Sequence, residues 1–170
     1  MQGRKSAQIA AKYGMLVALA FILSYVEAMI PVPIPIPGVK LGLANLVTIV
    51  GLYTVGIPGT AAVSFVRIVL AGFTFGNMFS MIYSLSGGVL SFLLMVLFKK
   101  SGWFSQVGVS IIGGIGHNIG QICVAALVVQ TKGVFYYLPA LLVSGVVAGA
   151  VIGLLGGMIV TRIQKVIRKM

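Results

Sequence analysis

The feature that most constrains this chain is its lack of negative charge, since Glu27 is the only acidic residue among 170. Twelve residues are lysine or arginine, and charged residues make up 8% of the sequence. A water-soluble domain carries about a quarter of its residues as charged side chains. Most of the surface must therefore face lipid, and the few charges must serve as topology signals or as parts of a functional site.

The placement of the basic residues argues against nucleic acid as a partner, despite the formal net charge of +11. Nucleic-acid binders spread basic residues over a folded polar face. Here apolar runs separate three short basic clusters, which is typical of loops that flank membrane spans. The clusters are Arg4, Lys5 and Lys12; Lys99 and Lys100; and Arg162, Lys165, Arg168 and Lys169.

The apolar runs predict an all-α integral membrane bundle of six transmembrane helices, forming one domain over residues 1–170. The second and third spans are short and are separated by the helix breaker Gly56-Ile57-Pro58-Gly59. We expect this pair to form a tight hairpin partly buried by the other helices, and a merged pair giving five spans is the alternative. The predicted spans are 10–30, 43–55, 59–75, 77–98, 107–130 and 138–162.

The basic clusters also predict the orientation of the bundle. Six spans with the N- and C-termini in the cytoplasm leave only Lys40 and Lys132 in outer loops, as the positive-inside rule requires. The protein is therefore expected in the plasma membrane of a prokaryote. The first outer loop, 31–38, alternates proline with apolar residues and favours an extended conformation. It serves either as a stiff connector or as a lid over an outward-facing cavity.

Arg67 is the most informative charge within the predicted spans, because it stands near the middle of the third one. A buried arginine is costly in lipid, so it should face a cavity, a partner or a ligand. One interpretation is a structural pair with Glu27. The other is binding of an anionic substrate through the bidentate fork of the guanidinium.

Further polar side chains lie in the fifth span and after the proline-rich loop. His117 and Gln121 share a helix face that Asn118 flanks, so they form either interhelical hydrogen bonds or the polar floor of a ligand cavity. Lys40 and Asn45 follow the loop. Lys40 either extends to the membrane interface or joins Arg67 and His117 in giving an outer cavity positive potential, which favours an anionic ligand.

Two series of small residues predict close helix contacts. Gly145, Gly149, Gly153 and Gly157 recur every four residues in the sixth span, where packing inside the protein is favoured over an intermolecular contact. Ala10, Gly14 and Ala18 form a similar series at the cytoplasmic end of the first span. This second series serves either internal packing or docking of a partner's helices.

Missing motifs exclude several kinds of chemistry. The sequence has no Gly-x-x-x-x-Gly-Lys-Ser/Thr phosphate loop, no paired carboxylates and no acidic cluster for magnesium. We therefore expect a protein that is not an enzyme and that has no cofactor or metal site. The single cysteine, Cys123, excludes an internal disulfide and is expected to be a small buried side chain.

Three segments carry a family resemblance: Pro37-Gly38-Val39-Lys40-Leu41-Gly42-Leu43-Ala44-Asn45, Arg67-Ile68-Val69-Leu70-Ala71-Gly72 and Gly116-His117-Asn118-Ile119-Gly120-Gln121. They resemble the corresponding segments of the Gx transporter family, also labelled heptaprenyl diphosphate synthase component I. The resemblance covers essentially the whole chain. That family is similar to the substrate-binding S components of energy-coupling factor (ECF) transporters, six-helix proteins that capture a vitamin or similar micronutrient from outside.

The resemblance implies two kinds of partner. In ECF transporters an Ala-x-x-x-Ala motif on the first helix docks a shared transmembrane coupling subunit that works with two ATPases. Gly14 and Ala18 occupy this motif here, with glycine in the first position. The second label implies a role in making a long prenyl chain, which must be accessory because the Asp-rich motifs of prenyl synthases are missing.

Three functional hypotheses follow. The first is a substrate-binding ECF subunit that takes up a small anionic, vitamin-like or precursor molecule from the outer side. The second is a noncatalytic membrane subunit associated with polyprenyl (heptaprenyl) diphosphate synthesis. The third is a small autonomous carrier or channel.

Overall fold

A computed structural model describes residues 2–30 and 42–168, with side chains described for residues 7, 9–30 and 42–165. The proline-rich segment 31–38 and Lys40 lie outside the described residues. Within the described ranges all regular structure is helical, which confirms the predicted all-α class. The helices are α1 (Gln2–Met29), α2 (Asn45–Thr54), α3 (Gly56–Thr74), α4 (Met78–Ser101), α5 (Gln106–Val129), a short 3₁₀ helix (Lys132–Tyr137) and α6 (Leu138–Arg168).

Five of the described helices are long and apolar enough to cross a membrane, which makes this a multi-pass membrane protein. The exception is α2, whose ten residues span about 15 Å, half of a hydrocarbon core of about 30 Å. This helix contacts all five of the long helices. The prediction of a short second helix is confirmed, whereas α3, with 19 residues, is long enough to cross a membrane and is not short as predicted. The described residues thus form five long helices and one short one, with α2 and α3 separate rather than merged.

The break between α2 and α3 is shorter than the four-residue turn predicted from the sequence. Only Val55 separates the two helices, and Gly56 begins α3 with a φ of 83°, in the left-handed region that favours glycine. Pro58 lies in the first turn of α3, where a missing backbone N–H costs no hydrogen bond. The predicted start of the third span at residue 59 was therefore three residues late.

The glycine series of α6 packs against α5, as predicted. A methyl group on Gly149 would lie 2.6 Å from the Cα atom of Ile111, and one on Gly153 would lie 2.8 Å from the Cα atom of Val107. The same close approach joins Gly145 to Gly114, whereas a methyl group on Gly157 would be 3.8 Å from its nearest neighbour. Internal packing thus accounts for three of the four glycines.

We predict that Gly149→Ala destabilises the protein, because the new methyl group meets backbone atoms of α5 that no side-chain rotation moves away. Overpacking of this kind costs about 1–3 kcal/mol. Gly14→Ala is the matched control, since a methyl group there meets no atom within 4 Å. Thermal unfolding of both variants in detergent measures the difference, and equal melting temperatures would contradict the prediction.

The first helix lies at the edge of the bundle and contacts α3 and α2. In its N-terminal half, the Tyr13 hydroxyl packs against Gly59 of α3, where the lack of a side chain leaves room for it. Toward its C-terminal half, the ring of Phe75 packs on Phe21 and Tyr25, with ring centres 5.3 and 5.4 Å apart. These contacts fix α1 against α3 at both ends and leave its opposite face uncovered.

The small residues Ala10, Gly14 and Ala18 lie on this uncovered face of α1, and all three are exposed. They therefore take no part in packing between the described helices. The face they form, which we call the α1 seam, is open to another molecule.

Lys99 ties α4 to the end of α2. Its ammonium group donates a hydrogen bond to the Leu52 carbonyl and lies 4.4 Å from the centre of the Tyr53 ring. A cation at a helix C-terminus satisfies carbonyls that lack intrahelical partners and stabilises the negative end of the helix dipole. A lysine expected only as a topology signal thus also holds α2 in place.

Cys123 departs from its expected burial. Its side chain is exposed and lines a shallow cleft with Gln130 and Phe135, where α5 ends and the 3₁₀ helix follows. The expectation was wrong because this face of α5 is not covered by α4 or α6.

Candidate functional site

Polar side chains from four helices converge inside the bundle. Glu27 of α1, Asn45 of α2, Arg67 of α3, and His117 and Gln121 of α5 are all buried. We call these five residues the polar cluster. Buried charges require compensating partners, so the contacts of each member indicate what the cluster does.

Glu27 binds the start of α2. Its Oε1 atom accepts hydrogen bonds from the backbone N–H groups of Gly42 and Leu43, the second at 3.2 Å. Gly42 has a φ of 86°, in the region that favours glycine, and it begins the turn that leads into Asn45. The carboxylate therefore lies at the N-terminal, positive end of α2, where the helix dipole stabilises an anion.

Arg67 lies beside the face of α1 that carries Glu27. It is 5% exposed, and its guanidinium donates a hydrogen bond of 3.3 Å to the hydroxyl of Ser24, three residues before Glu27. The Glu27 carboxylate also acts electrostatically on this cation. A guanidinium has five N–H donors. Among the described residues, Ser24 accepts the one hydrogen bond that Arg67 donates.

His117 and Gln121 face α4 at Gly87. A methyl group on Gly87 would lie 3.0 Å from His117 Nδ1 and 2.8 Å from Gln121 Cγ, so a larger residue would collide with both. A methyl group on Gly42 would lie 3.4 Å from the His117 ring and 3.0 Å from the Asn45 amide. The imidazole thus joins α4 and α5 to the turn that binds Glu27.

Asn118 points to a different neighbour. Its amide nitrogen donates hydrogen bonds to the Leu141 carbonyl at 2.6 Å and to the Ser144 hydroxyl at 3.3 Å, both on α6. Adjacent residues on a helix point about 100° apart, so His117 and Asn118 face different helices. This contact favours the interhelical hydrogen bond over the cavity floor for Asn118.

Several buried hydroxyl groups were not predicted from the sequence. Ser24 contacts Arg67, and Ser80, Ser84 and Ser91 are buried on α4. The signal for the α4 serines was present, because their spacings of four and seven residues place them on one face of an otherwise apolar helix. The signal for Ser24 was its position one turn before Glu27.

An apolar cleft of about 140 Å³ lies between α3 and α4, apart from the polar cluster. Ile68 and Gly88 line it. Ile68 follows Arg67 of the polar cluster in sequence, and Gly88 follows Gly87, which lies against His117. Its other lining residues include Phe65, Leu85 and Phe92. Its apolar lining suits lipid chains better than a polar ligand.

The family model described as Heptaprenyl diphosphate synthase component I matches residues 16–159. The chain belongs to this family. All five members of the polar cluster fall within the matched range, and the resemblance to heptaprenyl diphosphate synthase component I drawn from the sequence segments is confirmed. No curated protein and no solved structure matches the chain significantly.

Proposed function

We propose that this protein is the substrate-binding membrane subunit of an ECF-type transporter that takes up a small anionic, vitamin-like or precursor molecule. The observation that carries the proposal is Arg67, a cation that is 5% exposed and gives one 3.3 Å hydrogen bond to the described residues. Keeping a guanidinium at lipid depth is costly unless it has a functional partner. A ligand carboxylate or phosphate matches its remaining donors.

The position of the cluster fits capture from the outer side. With the N-terminus in the cytoplasm, α1 ends at the outer face, and Glu27 lies two residues before that end. Arg67 lies seven residues, or about 10 Å, before the outer end of α3. In this proposal Arg67, His117 and Lys40 provide donors or positive charge to the ligand. Asn45 and Gln121 orient it, and Asn118 fixes α5 against α6.

The energy source is proposed to be external, and the protein itself is proposed to lack enzymatic activity. The α1 seam lies in the N-terminal half of α1, which is the cytoplasmic half in the proposed orientation, and it is open to another molecule. Small residues let the backbones of two membrane helices approach closely. We propose that a transmembrane coupling subunit docks here and links the protein to two ATPases at the plasma membrane.

Affinity purification of the full chain from its native membranes tests this proposal. We expect a coupling subunit and ATPases in the eluate, and native mass spectrometry should detect the retained small molecule. Uptake of that molecule by cells should stop when the ATPases are deleted. Uptake that continues unchanged without them would refute the assignment as an ECF subunit and favour an autonomous carrier.

The family description favours a second candidate, a noncatalytic membrane subunit in polyprenyl diphosphate synthesis. Lys100, Arg162 and Lys165 are exposed and would offer a basic surface to an acidic soluble synthase. Assay of such a synthase with and without this chain in vesicles separates the two candidates. Dependence of prenyl-chain elongation on this protein would support the role in polyprenyl diphosphate synthesis.

A further inference from the structure

We propose that the turn leading into α2 is an anion subsite, that the Glu27 carboxylate is its intramolecular occupant, and that the anionic group of the transported molecule exchanges with this carboxylate. The identity of the arriving molecule rests on the proposed function. The subsite itself rests only on contacts within this chain.

The first observation is that an anionic group is already bound at this turn. Two successive backbone N–H groups, those of Gly42 and Leu43, donate to one oxygen of Glu27. Successive N–H groups in a turn that begins with a left-handed residue form a concave anion-binding nest. The dipole of the ten-residue α2 adds to the same positive potential.

The second observation is a buried cation, Arg67, that acts electrostatically on the carboxylate bound in the nest. Arg67 reaches Ser24 on the same face of α1 as Glu27 and gives one hydrogen bond to the described residues. Its planar fork matches a carboxylate or a phosphate group. The subsite therefore combines two fixed backbone donors with a guanidinium, which defines its ligand class as a carboxylate or phosphate ester.

Exchange follows from charge repulsion. Two negative charges at close range repel each other, and the repulsion is stronger at the reduced effective dielectric constant of a protein than in bulk water. The subsite therefore does not hold Glu27 and a second anion together. Removing the Glu27 charge should tighten anion binding, whereas a residue with a purely structural role, or one that contacts the ligand favourably, would leave binding unchanged or weaken it.

Chemical rescue tests the subsite with the purified full chain in detergent. The probes are sodium formate, acetate and inorganic phosphate, with sodium chloride at matched ionic strength as the control. In Glu27→Ala we expect a lowered melting temperature that acetate or formate raises again, with at least tenfold tighter apparent anion affinity than in the wild type. The double variant Glu27→Ala/Arg67→Met should lose this rescue.

Probe anions that shift the melting temperature of Glu27→Ala no more than chloride does would overturn the proposal. If Glu27→Ala does not fold, Glu27→Gln provides the same measurement with the side-chain volume kept. Phosphate should then stabilise Glu27→Gln more than the wild type, and equal stabilisation would overturn the proposal. Because the readout is anion binding by this chain alone, the outcome does not depend on ATPase partners or transport.

Discussion

Replacing Arg67 by methionine is expected to weaken binding of the transported molecule by roughly 100-fold or more. Each hydrogen bond to a charged group contributes about 1.5–3 kcal/mol, and a bidentate contact makes two. Methionine keeps much of the side-chain volume but removes every donor. The measurement is calorimetric titration of the purified variant with the molecule that native mass spectrometry recovers from the wild type.

Two further variants separate binding from folding at this position. Arg67→Lys keeps the positive charge but loses the fork, so it should show a smaller loss of affinity. Arg67→Met removes a cation that interacts electrostatically with the buried Glu27 carboxylate, which threatens stability. Glu27→Gln/Arg67→Met removes both charges and should fold while still binding weakly. Wild-type affinity in a folded Arg67→Met variant would show that Arg67 does not contact the ligand.

Replacing Gly14 by leucine is expected to abolish transport without changing ligand affinity or melting temperature. Gly14 is exposed, and a Cβ atom added there meets no described atom within 4 Å, so this outward-facing position should tolerate leucine. A coupling subunit packed against the backbone of the α1 seam would instead be pushed away. The measurements are uptake by cells and recovery of the ATPases on purification.

The control for this variant is Met15→Leu, one residue further along the exposed surface of α1 but outside the seam. It changes an exposed apolar side chain without blocking close approach at Gly14. We expect normal uptake and normal ATPase recovery. Normal uptake by Gly14→Leu as well would place the coupling interface elsewhere on the protein.

The helices could be predicted from the sequence because a backbone in lipid has to satisfy its hydrogen bonds internally, so each long apolar run becomes a helix. The fourth span, predicted at 77–98, is observed as Met78–Ser101. The first helix extends back to Gln2, eight residues before the predicted start. Hydropathy misses this extension, because lysine, arginine and glutamine favour helix without being apolar.

The members of the polar cluster could also be predicted, because buried polar residues stand out in an apolar sequence. Their partners could not. His117 faces Gly87 and Asn118 faces Leu141 because α5 packs between α4 and α6, an order that glycine spacing does not specify. Glu27 binds backbone N–H groups, which every residue type except proline carries, so no sequence signal marks them.

The contact between Lys99 and the end of α2 has a consequence for biogenesis. A helix of ten residues is too short to be held across a bilayer by its own hydrophobicity, and the lysine that closes its carbonyl end is synthesised 45 residues after Thr54. We expect the nascent chain to place α2 provisionally while α1 and α3 enter the membrane. Only after α4 has emerged from the ribosome does the short helix gain its lasting position.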